Sequence, residues 1–213
     1  MLTTGFPFID KDLAGFPENK LSFALCDNPS SRLFFAFNIV NHFVKEKKLI
    51  YYIDLDTIFS SYILNEHNSF SNSDDFVLFT PKRDQLSTII SNICSMQLEK
   101  PSLIIFDSLN LLYHSTYIRS NFGESNRIIS LYLALLNQFA QDNDVNVLAF
   151  SLSRTTQKTD ISKWQSFYPG GISIESFNST IFHIEHQFPN FNVTILKHPS
   201  ISLMLKQYSL QIS

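Results

Sequence analysis

The sequence predicts an α/β protein, with a mostly parallel sheet covered by helices on both faces and antiparallel strands near its C-terminal end. Three observations carry this. "LSFALC", "SLIIFDS" and "VNVLAFSLS" are continuous apolar runs rather than alternating ones, the pattern of strands buried on both faces. Segments with helical spacing separate them, which is the order of a doubly covered sheet. From Ser173 onward "STIFHIEHQ", "NVTILKH" and "SLMLKQYSLQIS" follow one another through short turns, as antiparallel neighbours do.

Taken in order, Leu21–Cys26 is a short apolar strand, and Leu33–Phe43 follows with helical spacing. Lys48–Asp56, "KLIYYIDLD", is a strand ending in two carboxylates, and "FSSYIL" opens a helix. The polar run Asn65–Asp75 reads as a surface loop within the domain. Asp75–Pro81 is a strand stopped by its proline. Asp84–Gln97 puts Leu86, Ile89, Ile90 and Ile93 on one helical face, with Asp84 as N-cap. Ser102–Ser108 is an apolar strand, Asn126–Gln141 a helix with Ile128, Leu131, Leu135 and Phe139 in register, and Val145–Ser153 another buried strand. "FPNF" (Phe188–Phe191) reads as a hairpin turn.

The chain of 213 residues suits one sizeable core, so residues 1–213 are expected to form a single domain. Charged residues make up only 16% and the net charge is −3, which excludes a chain-wide basic footprint for nucleic acid and leaves only a local patch open. Cys26 and Cys94 are too few and too far apart for a disulfide framework or a metal site. The six histidines show no ligand spacing; His183 and His186, three apart on a strand, point to opposite faces. No signal peptide or membrane span is expected, so the chain reads as intracellular.

In a sheet of this kind ligands bind at the carboxyl ends of the strands. Three such ends carry suggestive residues: Ser30–Arg32, Asp54 and Asp56, and Asp107 with Ser108. "CDNPSSRLFF" stands between a strand and a helix, where a nucleotide-binding protein carries its phosphate loop, but it has no glycine. A carboxylate after an apolar strand beside such a loop is the geometry that holds Mg²⁺ in nucleotide hydrolases; Asp107 could equally serve as a turn or helix cap.

Segment by segment, the chain resembles the ATPase core of the RecA/RadA recombinases, and among them the small accessory paralogues such as archaeal RadB and members of Shu-type complexes. "TTGFPFIDKDLAG" looks like the family's opening segment, "YYIDLDTIF" like its "IDTEGTF" strand, and "PSLIIFDSLNLLY" like its Walker B strand. "VNVLAFSLS" stands where its next strand ends in "NQ", and "YPGG" with "VTILKHPS" looks like its close. The resemblance implies a RecA-like three-layer sandwich without a separate N-terminal DNA-binding domain.

The departures from that pattern matter most. Aligned on Arg32, the family's glycines fall on Cys26 and Ser31, and its Mg²⁺-binding hydroxyl on Leu33. Glycines let the loop backbone curl so that successive N–H groups face the phosphates, and a Cβ resists that. A guanidinium also does not replace an ammonium one for one. The family's water-activating Glu falls on Asp56, and its "NQ" on Ser151 and Leu152; only Asp107 keeps its residue type. The chain is therefore expected to be no enzyme, with a former phosphate loop that mainly connects strand to helix. ATP and Mg²⁺ are not expected as cofactors, and weak nucleotide binding would fall to Ser30, Ser31, Arg32, Asp56 and Asp107.

In the family, DNA contact comes from two loops, here Tyr113–Ser125 and Arg154–Tyr168. The second sets Arg154, Lys158 and Lys163 among Trp164, Phe167 and Tyr168, which suits single-stranded DNA, cations meeting phosphates and rings stacking on bases. It is equally the pattern of an exposed loop whose aromatics cover the sheet edge. The expected role is a subunit of a heteromeric complex that assists homologous recombination and DNA repair on single-stranded DNA. Its partners would be paralogous RecA-fold subunits and a recombinase filament, in the nucleus of a eukaryote or the cytoplasm of an archaeon. The rival is a structural RecA-fold subunit of a non-recombination complex, like those of Elongator. A third reading, an active ATPase with an unusual loop, would require Arg32 and the Ser30–Ser31 backbone to do the full phosphate work.

Overall fold

The computed structural model describes residues 3–13, 15–16, 19–65, 73–82, 85–95, 98–117, 122–153, 161–166, 168–169, 171–177 and 179–211. The predicted alternation is present. In chain order the elements are α1 (Pro7–Leu13), β1 (Leu21–Cys26), α2 (Pro29–Lys45), β2 (Ile50–Asp54), α3 (Ile58–Asn65), β3 (Phe76–Phe79) and α4 (Leu86–Cys94). They continue with β4 (Leu103–Asp107), α5 (Leu109–Tyr117), α6 (Phe122–Asn143), β5 (Asn146–Leu152), α7 (Gly171–Ser176), β6 (Ile181–Gln187), β7 (Asn190–Lys197) and β8 (Gln207–Gln211).

One eight-stranded sheet runs in the order β3-β2-β4-β5-β1-β6-β7-β8. The pairs from β3 to β6 are parallel, and β6–β7 and β7–β8 are antiparallel. Alternate strand residues feed two cores because successive side chains point to opposite faces. Ala24, Tyr52, Ile105 and Phe150 pack with α1, α2 and α3 through Ile9, Phe35, Ile39 and Phe59. Phe23, Ile53, Phe106 and Ala149 pack with α4, α5 and α6 through Ile90, Leu112, Ile129 and Leu136. Each large apolar side chain buried this way contributes about 1.5–3 kcal/mol. The continuous apolar strands are thus the sequence signature of a sheet covered twice.

Several local expectations are corrected. α2 starts at Pro29 rather than Leu33, because Asn28 caps it: the Asn28 side chain accepts the Ser31 N–H at 2.9 Å, and Pro29 follows at the first helical position. α4 starts at Leu86 with Gln85 at the capping position, and Asp84 lies outside the described residues. In α6 the core face is Ile129, Leu133, Leu136, Phe139 and Ala140, while Leu131 and Leu135 are 57% and 44% exposed. That helix has apolar residues on several faces, so periodicity alone did not select the buried one. Much of the Tyr113–Ser125 segment is helical, supplied by the end of α5 and the start of α6.

Candidate functional site

Parallel register brings the strand ends to one edge. Asp54 is paired with Asp107 across β2 and β4, and Cys26 with Leu152 across β1 and β5. Only Asp27 and Asn28 separate β1 from α2, so Ser30, Ser31 and Arg32 lie in the first turn of a helix and not in a loop. The Ser31 and Arg32 donors at this helix start are engaged within the chain. Ser31 N–H goes to Asn28, and Ser31 Oγ donates to Asp27 Oδ1 at 2.5 Å. Ser30 is exposed.

Arg32 is 1% exposed and projects toward the ends of β2 and β4. Nη1 donates to Asp56 Oδ2 at 2.7 Å and Nη2 to Asp56 Oδ1 at 3.1 Å, a two-pronged grip. Nη1 also stands 2.8 Å from Asp107 Oδ1, yet that oxygen accepts no aligned hydrogen bond. The Arg32–Asp107 contact is therefore an ion pair without an aligned hydrogen bond. Thr57 turns the chain through φ 61°, and Ile58 N–H donates to Asp56 Oδ1 at 3.2 Å. The stretch expected to be mere connection instead places a buried cation between two carboxylates.

Asp54 and Ser108, expected at the strand ends, and Tyr52 and Asn110, which no sequence motif marks, complete the site. Tyr52 Oη donates to Asp107 Oδ2 at 2.5 Å. Ser108 Oγ lies 3.5 Å from Asp56 Oδ2, at the limit of a hydrogen bond. Asp54 accepts the Ser60 N–H at 2.7 Å through Oδ2, and its Oδ1 is buried with no hydrogen-bond partner. Asn110, on α5, bonds to the backbone of Leu152 and approaches Ser151, the pair standing where the family has "NQ". A pattern of single strands could not show these contacts, since each joins different elements.

Burial raises the Asp107 carboxyl to about 7, with Arg32 and the Tyr52 hydrogen bond pulling it back and Asp56 and Asp54 adding to the rise. Burial also raises Asp54. On Arg32 burial alone would favour deprotonation, but Asp107 and Asp56 outweigh it and the guanidinium is held protonated. The cluster is thus a buried cation between two carboxylates, one of which changes charge near neutrality. Among the described residues, no three His, Cys, Asp or Glu side chains are grouped to hold a metal ion.

Of the candidate DNA loop, Arg154 and Lys158 lie outside the described residues. Lys163 falls in a short 3₁₀ helix, Ile161–Ser166. Trp164 is 7% exposed and belongs with Tyr168 to the core on the α5–α6 side. Among the described residues, no helix is long and apolar enough to cross a membrane.

This edge, on a mostly parallel sheet with antiparallel C-terminal strands, defines a RecA-type fold. The comparisons with solved structures agree. The chain is similar to a RadB recombinase, with a TM-score of 0.74, 17% identity, and coverage of 100% of this chain and 96% of that one. It is also similar to a KaiC-like protein from the hyperthermophilic archaeon Pyrococcus horikoshii OT3, with a TM-score of 0.70, 14% identity, and coverage of 100% and 94%. No protein-family profile matches the sequence, and no curated protein does. The expectation that the chain is no enzyme is corrected here. Its fold is shared over its full length with a RadB recombinase and a KaiC-like protein, neighbours that speak against reading the chain as a non-enzyme.

Proposed function

We propose that the chain is a recombinase-type subunit of a heteromeric complex that assists homologous recombination and DNA repair on single-stranded DNA. The observation that carries this reading is the likeness to a RadB recombinase, which spans all of this chain and 96% of the other. Two further features support it. Phe8 and Phe188 are 68% and 87% exposed, large apolar side chains suited to covering by a partner chain. The Arg154–Lys163 stretch supplies cations for phosphates without making the whole chain basic. The partners are paralogous RecA-fold subunits and a recombinase filament. A nuclear site in a eukaryote or a cytoplasmic one in an archaeon follows from where the DNA is.

Two measurements test it. Mass spectrometry of the chains that co-purify with the tagged protein should find RecA-fold partners. The reconstituted complex should bind single-stranded DNA with a salt slope that falls by about one counterion for each of Arg154, Lys158 and Lys163 replaced by Ala. An unchanged affinity and slope in the triple variant would remove this loop from the DNA contact.

The second reading, a structural RecA-fold subunit of a complex outside recombination, like Elongator, draws on the burial of Trp164, which takes one stacking ring out of the loop. Co-purification with chains of no recombination role, together with no DNA binding by the complex, would favour it.

A further inference from the structure

Nucleotide-binding proteins of this fold neutralise the carboxylates at their strand ends with a divalent cation, so the fit of such an ion to this edge is a matter of its residues. They do not fit it. The resemblance puts the ligating hydroxyl at Leu33, which has none. The space between Asp56 Oδ2 and Asp107 Oδ1 already holds Arg32 Nη1, 2.7 Å from the first and 2.8 Å from the second. The guanidinium is fully enclosed, and its attachment through both nitrogens to Asp56 fixes its orientation.

We propose that Arg32 is the resident cation of this site, a side chain that does the charge-neutralising work of a divalent ion and keeps such ions out. The charges favour it. One guanidinium between Asp56 and Asp107 leaves a net charge of −1 when both are ionised, whereas adding a doubly charged ion beside it would set like charges at contact distance in a poorly hydrated place. Asp54 lies beside them with one buried oxygen that accepts no hydrogen bond. Without the guanidinium, Asp56 and Asp107 would face one another with no counter-charge between them, and a hard cation with oxygen ligands is what such a pair recruits.

The test uses Mn²⁺ and thermal unfolding at a pH well above 7, because Asp107 titrates near 7 with Arg32 beside it and higher without it. In the wild-type chain, about 5 mM MnCl₂ should leave the Tm where EDTA leaves it. In Arg32→Met, whose side chain fills similar space without charge, the same ion should raise the Tm by roughly 5–10 °C, the shift expected for a ligand at about 100 times its Kd. Asp107→Asn in the Arg32→Met background should abolish that gain. If Arg32→Met folds only when MnCl₂ is present, that is the same result in a stronger form. A variant that stays unfolded with and without the ion, or whose Tm the ion does not move, overturns the proposal. So does a wild-type Tm that Mn²⁺ raises and Asp107→Asn returns to its metal-free value.

Discussion

Asn110 grips the backbone of Leu152 with both ends of its amide: Nδ2 donates to the Leu152 carbonyl at 2.9 Å, and Oδ1 accepts the Leu152 N–H at 2.6 Å. The first residues of α5, directly after Asp107, are thereby tied to the last residue of β5, directly before the Arg154–Tyr168 segment. Asn110→Ala should cost about 1–3 kcal/mol, the penalty for leaving partly buried backbone groups without partners. Hydrogen exchange at the Leu152 N–H should quicken with it. An unaltered exchange rate in the Ala variant would show that the clamp does not hold the strand end.

Tyr52→Phe isolates one hydrogen bond. The ring keeps its stacking on Phe59, at 4.1 Å between centroids, so no cavity forms. What is lost is the hydroxyl donor to Asp107, a bond to a group that carries charge, worth about 1.5–3 kcal/mol. Because that bond helps pull the Asp107 pKa down, the carboxyl should titrate higher in the Phe variant. Carboxyl ¹³C chemical shifts followed against pH would read it, and a downward move would contradict the assignment.

Asp107 should also leave a mark on stability against pH. Burial raises its folded value to about 7, above an unfolded value of about 3.9. In the window between the two, the folded chain holds the proton and the unfolded chain has released it. The contribution of this group is therefore fully present below about pH 4 and is lost as pH rises through about 7, at up to roughly 1.4 kcal/mol per pH unit. Chemical denaturation of wild type and Asp107→Asn at acid and alkaline pH should show wild type losing more stability on the way up, other groups cancelling in the difference. Equal losses would contradict the raised value.

Trp164 distinguishes packing from DNA contact. Its burial in the α5–α6 core predicts that Trp164→Ala costs about 3–5 kcal/mol and lowers the Tm. The affinity of the folded complex for single-stranded DNA should stay the same. A variant with unchanged Tm and weakened DNA binding would put the ring on a base.

The phase of α6 can be checked by a pair of substitutions one residue apart. Leu136 is buried and Leu135 is 44% exposed. Leu136→Ala should cost about 2–5 kcal/mol and Leu135→Gln about 0.5 kcal/mol or less, both read by chemical denaturation. The reverse order would restore the helical face predicted from spacing.

Element types and the two-sided sheet were legible in the sequence, because a strand covered on both faces reads as a near-continuous apolar run, as "LIIF" and "VLAF" do within β4 and β5. The start of α2 was legible too, since Asn28–Pro29 is a local capping signal. The α6 face was not, because "IISLYLALL" offers apolar residues to several directions and only the neighbouring elements choose among them. Nor was the partnership of Arg32 with Asp56 and Asp107, or of Asn110 with Leu152, which lies 42 residues away. The sequence by itself determined that a buried strand would end in Asp107 and that a cation would stand near the first turn of α2. Tertiary structure alone decided that they meet, because the parallel register that pairs Asp54 with Asp107 sets the strand ends side by side, and local patterns do not encode that register.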